Sequence, residues 1–217
     1  MGAPVQWGDV PAWIGAATGI AALFRGLGNR QQVQFQGWAE MLEELTDLEP
    51  GELQRTVEDN PVIAEIFAMA AEEAARTATD DKRYLLAQVV AAALRGEATP
   101  GQVDALLYLT RTVVALDPAD LTLLVAIGTT EDGEPRESGR PRHVRAWVSR
   151  EELEGRWPSP HDLLDPALAM LEQQGLIRGL DYDDLGLVKL WMLLPYGQQF
   201  LEHLLTDLGG WPPRRQF

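Results

Sequence analysis

Cysteine is absent from this chain, which removes disulfides, thiolate metal sites and cysteine nucleophiles in one step. The absence fits a reducing cytoplasm, the expected location, with membrane association as the alternative. Lysine is nearly absent too. Only Lys82 and Lys189 stand among the 18 basic residues, a bias expected of a GC-rich bacterial genome rather than of a mechanism. Positive charge as a whole is short, and the formal net charge is −15 at pH 7. A field of that sign repels phosphate backbones and anionic membranes over a Debye length of ~8 Å at physiological salt. Nucleic-acid binding would therefore demand a concentrated basic patch. The same acidic surface also serves solubility.

Recognised chemical motifs are missing as well. There is no GxSxG elbow, no GxxxxGK[ST] phosphate loop and no GxGxxG opening a βαβ unit. The three histidines, His143, His161 and His203, have no histidine or carboxylate at a zinc spacing that makes a recognised motif. Asp181, Asp183 and Asp184 form an acidic turn without the distant glutamate of a calcium loop. Glu72–Glu73 and Asp80–Asp81 read as a solvated face and a helix start. No catalytic, cofactor-binding or metal-binding residue is assigned on these grounds, and no cofactor is expected.

No uncharged run is long enough for an ordinary membrane span. The longest near the N-terminus, Val10 to Phe24, would extend about 22 Å as a helix against a hydrocarbon core of roughly 30 Å. It lacks a basic leading region and follows Asp9, so it makes a poor signal peptide. Gly15 and Gly19 give it a GxxxG spacing that lets two helix backbones approach closely. Two readings stay open: a packed or dimerising helix, and peripheral membrane contact through residues 10–28.

What is present is helix punctuation. The 217 residues are 46% hydrophobic and 24% charged, ordinary values for a packed globular chain. Phe35, Trp38, Met41, Leu42 and Leu45 recur at three- and four-residue spacing, predicting a helix over 35–48 with an acidic outer face. Asn60-Pro61, Thr99-Pro100 and Asp117-Pro118 each pair a capping position with proline at the first helical position. Thr79 or Asp80 starts a further helix that Gly96 stops. The expected fold is mainly α: an apolar N-terminal helix or tail over 1–34, a helical bundle over 35–117, and a C-terminal module over 118–217.

Within that module, glycine, proline and charge predict a flexible insert at about 129–144. There begins the one basic cluster: Arg136, Arg140, Arg142, His143, Arg145, Arg150 and Arg156. Ser149 with Glu152 three residues on is a capping box for a short helix ending near Arg156. Ser159-Pro160 opens a longer helix that stops at Gly175, an apolar run over Leu187–Leu194 suits a strand, and Pro195 introduces a last helix.

The carrying residues Ala167 to Ile177, with Leu171-Glu172 and Gly175-Leu176-Ile177, followed by Pro195-x-Gly197-x-x-Phe200-Leu201, resemble a winged helix of the broad MarR or PadR type. The resemblance covers roughly residues 118–206. It implies a two-stranded β wing and a DNA-binding role in which the second helix of the pair enters the major groove. The sequence departs from that role. The second helix carries Asp162, Asp165 and Glu172 with no lysine or arginine before Arg178, and the wing tip is acidic. Carboxylates aimed at phosphates forfeit counterion release.

The expected function is therefore a non-catalytic protein–protein interaction or adaptor protein with an unknown protein partner and a homodimer as one form of it. The first alternative is a winged-helix transcriptional regulator gripping DNA through the segment 136–156, with Arg136, Arg140, Arg142, Arg145 and Arg150 as anion contacts. Against it, those arginines can pair with the protein's own acidic surface. An enzyme of unfamiliar type is the third. Seven tryptophans, several near predicted element ends, suit either interfaces or domain cores.

Overall fold

Self-capping polar residues, rather than apolar ones, set where the first of the described helices begins. Gln31 Oε1 accepts from the Gly28 backbone N–H at 3.0 Å, and Gln32 N–H donates to the Gly28 carbonyl at 3.0 Å. Helix α1 accordingly runs Asn29–Thr46, starting ahead of the apolar stripe that predicted it from Phe35. The computed structural model describes residues 28–46, 48, 50–95, 100–129, 147–157, 160–181 and 189–207. Gly15, Gly19 and all but the last residue of 10–28 lie outside them, as do Arg136, Arg140, Arg142 and Arg145. The chain divides into two compact units, Met1–Ala115 and Leu116–Phe217.

In the first unit α1 is followed by α2 (Pro50–Asp59), α3 (Pro61–Arg76), α4 (Asp80–Leu94) and α5 (Pro100–Ala115). Asn60 Oδ1 accepts from the N–H groups of Val62 at 3.0 Å and Ile63 at 3.3 Å, satisfying two donors that a helix start leaves open. The core gathers where α1 and α3 meet: the Trp38 ring lies 5.6 Å from Phe35 and 5.3 Å edge-on from Phe67. Helix α4 packs on α1, α3 and α5 and is buried on nearly every side.

That placement draws in a charge. Lys82, with its side chain 2% exposed, bonds Glu73 Oε1 at 2.6 Å and the Val114 carbonyl at 3.2 Å. Arg83 beside it donates to the Thr77 carbonyl at 2.8 Å and pairs with Asp80. A cation removed from water demands such partners. One of the two lysines thus has a specific structural place that the compositional reading did not give it.

The second unit is also mainly helical, with a small antiparallel sheet. Its elements are α6 (Pro118–Gly128), β1 (Val148–Ser149), α7 (Arg150–Arg156), a 3₁₀ turn (His161–Leu163), α8 (Leu164–Gln173), β2 (Ile177–Asp181), β3 (Lys189–Leu193), α9 (Pro195–Glu202) and a π turn (His203–Asp207). Asp120 Oδ2 accepts from the Asp117 N–H at 2.8 Å, closing the start of α6. Helix α6 is the hub: it packs on α7, α8, α9 and β3. The strands lie in the order β1–β3–β2, all antiparallel, with Val148 opposite Trp191 and Ile177 opposite Leu193. Alternation sends Val148, Ile177 and Trp191 into the core and leaves Arg178 and Leu180 exposed. Strand β1 was not expected from sequence; it is two residues long, and the capping box hides it.

Candidate interaction surface

The C-terminal end of α8 is fixed by hydrogen bonds that give the resemblance-carrying residues their physical meaning. Leu176 N–H donates to the Leu171 carbonyl and Gly175 N–H to the Glu172 carbonyl, both at 3.0 Å. These are the two bonds of a Schellman ending, and Gly175 sits at φ 68° where a side chain is disfavoured. Leu171 and Leu176 are both fully buried beside it. Glu172 Oε1 then reaches forward to accept from the Gly179 N–H at 2.8 Å, tying the helix to β2. Its exposed carboxylate is thereby engaged by strand β2.

At the other end, Leu163 N–H donates to the Pro160 carbonyl at 3.0 Å, so the chain passes through a 3₁₀ turn and α8 begins at Leu164, later than expected. Pro166 falls in its first turn, where no N–H partner is required. The inner face carries Leu164, Ala167, Leu168 and Leu171, all buried. The outer face presents Asp165, Pro166, Ala169 and Gln173, and the turn before it Asp162 and Leu163, all exposed.

Arg150, the first residue of α7, crosses to this helix. Its guanidinium meets Asp165 with two contacts, 2.6 Å and 3.3 Å, and Glu154 with a third at 2.7 Å. The paired arginine holds the Asp165 carboxyl below its ordinary range against a small opposing desolvation, and the charge of Lys189 acts in the same direction. Asp165 in turn, with Glu154 behind it, raises Arg150. Lys189 itself lies over the Trp191 ring, 5.8 Å from its centroid. Arg156 is turned inward: it donates to the Ala126 and Thr129 carbonyls, both at 2.7 Å, and to Thr129 Oγ1 at 3.1 Å. It thereby closes the C-terminal end of α6, where carbonyls lack helical partners.

Of the expected anion contacts, the described residues contain Arg150 alone, and its donors are engaged by the protein's own carboxylates. Arg156, also in the basic cluster, is a structural cap. The sequence shows the Arg150–Glu154 spacing of four but not the reach to Asp165, which depends on how α7 packs against α8. His161 lies in the 3₁₀ turn and His203 opens the π turn, far apart in sequence, and His143 is outside the described residues. Among the described residues no group of three or more His, Cys, Asp or Glu side chains could hold a metal ion, and no helix is long and apolar enough to cross a membrane. Trp157 and Trp191 are buried members of the core.

A depression of about 380 Å³ borders α7, lined by Ser149, Glu151, Glu152, Gly155 and Arg156. Ser149 Oγ is occupied as the helix cap, accepting from the Glu152 N–H at 3.2 Å, and Arg156 is committed to α6. Arg156 also lies 3.5 Å from the Glu152 carboxylate. No protein-family model matches the chain, and neither a curated protein nor a solved structure matches it. What the surface offers chemically is a half-buried helix with an acidic outer face, contacted by Arg150 on one side and tied to β2 through Glu172 on the other.

Proposed function

We propose that this chain is a non-catalytic interaction protein whose second unit is a winged-helix module turned to protein contact. The helix pair α7–α8, the hairpin β2–β3 that follows it, and the flanking helices α6 and α9 support the winged-helix reading. The observation that carries the function is the state of Arg150. An arginine expected from sequence as an anion contact is instead clasped by Asp165 of the helix that a DNA-binding member would insert in the groove. That helix exposes carboxylates, proline and alanine, and no cation, and the turn before it exposes Asp162 and Leu163. Counterion release, which supplies most non-specific affinity for DNA, has little to draw on there.

The test is fluorescence anisotropy of a labelled mixed-sequence duplex titrated with the full chain at several salt concentrations. The expected result is no saturable rise, even at low salt. Binding that weakens steeply as salt increases would overturn the reading and favour a regulator that uses the arginine-rich segment.

A further inference from the structure

We infer that the outward face of α1 is a contact between two copies of this chain, packed as an antiparallel helix pair about Gly37. The inference goes beyond the protein-contact reading of the second unit and does not depend on it. Helix α1 packs on α3 and α4 through Phe35, Trp38, Ala39 and Leu42, all buried. Gly37 falls on the opposite side, and a Cβ added there would meet nothing within 4 Å. The bare Cα thus faces open space, where a second backbone can come close. One turn before it stands Val33, which is 57% exposed, the most of any large hydrophobic residue among the described residues.

The order of residues along this face decides the occupant. In an antiparallel pair centred on Gly37, each residue before the glycine lies level with the residue equally far after it in the second copy. Arg30, seven positions before, is level with Glu44, seven after. Val33 is level with Met41, both apolar, and the Gln34 amide is level with the Glu40 carboxylate. With 3.6 residues per turn, all six lie within about 60° of the Gly37 line. No match opposes like charges, and two-fold symmetry makes each match occur twice. Among the described residues neither Arg30 nor Glu44 is held by an ion pair, and both are exposed. Glu40 accepts only from Gln36 of its own helix, at 3.3 Å, a neutral donor. A face whose charges answer one another in reverse order fits a second copy of itself better than a foreign partner. The net charge of −15 makes two copies repel at long range, but a Debye length of ~8 Å at physiological salt confines that repulsion more than it weakens pairs in contact.

Sedimentation equilibrium of the full chain in about 0.15 M salt tests this. The expected result is a reversible monomer–dimer equilibrium, weak as suits a contact at or below about 1,200 Å². Arg30→Glu and Glu44→Arg each turn two opposite-charge matches into like-charge ones, and each should weaken association about tenfold. Mixed in equal amounts, the two variants face each other with opposite charges at both matches. The mixture should therefore associate within about threefold of the parent chain. Gly37→Lys should abolish the dimer with an unchanged far-ultraviolet circular dichroism spectrum, since its side chain enters open space in the folded chain. A chain that stays monomeric at about 1 mM overturns the contact. So do single variants that associate as the parent does, and a mixture that associates no better than its components. The duplex titration bears only on the reading of the second unit, so the two proposals fail separately.

Discussion

Replacing Gly197 by alanine should unseat the last helix, whereas the same replacement at Gly155 should do the opposite. A Cβ built at Gly197 would stand 1.9 Å from the Leu176 carbonyl oxygen, 2.7 Å from its carbon and 2.9 Å from its Cα. All three are backbone atoms, so no rotamer change can give way. The Leu176 peptide is itself pinned, because its carbonyl accepts from Leu194 N–H at 2.9 Å and its N–H donates to Leu171 at 3.0 Å. Relief requires either breaking the Leu194 bond, at about 1 kcal/mol, or moving α9 away. Movement would pull Phe200, Leu201 and Leu204 from the core, where each is at most 4% exposed. Overpacking of this kind costs about 1–3 kcal/mol and sometimes more, against a helix-propensity gain of about 0.5–1 kcal/mol for alanine over glycine. We expect a net loss of about 1–2 kcal/mol, the overpacking less the propensity gain. At Gly155, in α7, a Cβ meets nothing within 4 Å, so only the propensity gain of about 0.5–1 kcal/mol remains. Urea unfolding followed by circular dichroism gives both values, and hydrogen exchange of peptides from residues 116–207 assigns the change to the second unit. Equal stability of Gly197→Ala and the parent protein would refute the close approach of α9 to the α8–β2 junction.

The buried cation and the exposed clasp give two further tests. Lys82→Met leaves Glu73, with its side chain 19% exposed, without its partner and should destabilise the first unit by about 2–4 kcal/mol. Adding Glu73→Gln should return part of that loss, and a double-mutant cycle in urea that shows no coupling would remove the pair from the account. For Asp165, the folded carboxyl titrates below its ordinary value because of Arg150. Its contribution to stability is therefore present at neutral pH and is lost as the pH falls through that depressed value. The contribution is small, since the Asp165 side chain is 68% exposed and the pair is screened. A carboxyl NMR titration should place Asp165 below an unpaired aspartate and move it upward in Arg150→Ala; an unmoved midpoint would mean that the clasp does not persist in solution.

Residues whose job is local were legible, and residues whose job depends on packing were not. Asn60-Pro61 and Asp117-Pro118 announce helix starts because a cap and a pre-set φ act within a few residues, and α3 and α6 begin where those pairs stand. Gly175 announces a helix stop for the same reason, and its φ of 68° supplies the backbone state that only glycine adopts at no cost. Gly197 carries no such local signature. Its need for a bare Cα comes from Leu176, twenty-one positions earlier, and is visible only once α9 lies against the α8–β2 junction. The candidate surface divides along the same line. Its acidity is written in the sequence, as Asp162, Asp165 and Glu172. That Glu172 turns away to hold Gly179, and that Arg150 crosses from α7 to hold Asp165, are facts of tertiary placement. The sequence could weigh an arginine gripping phosphate against an arginine gripping its own surface, because both need the same guanidinium. Two contacts from one Asp165 carboxylate favour the second at Arg150.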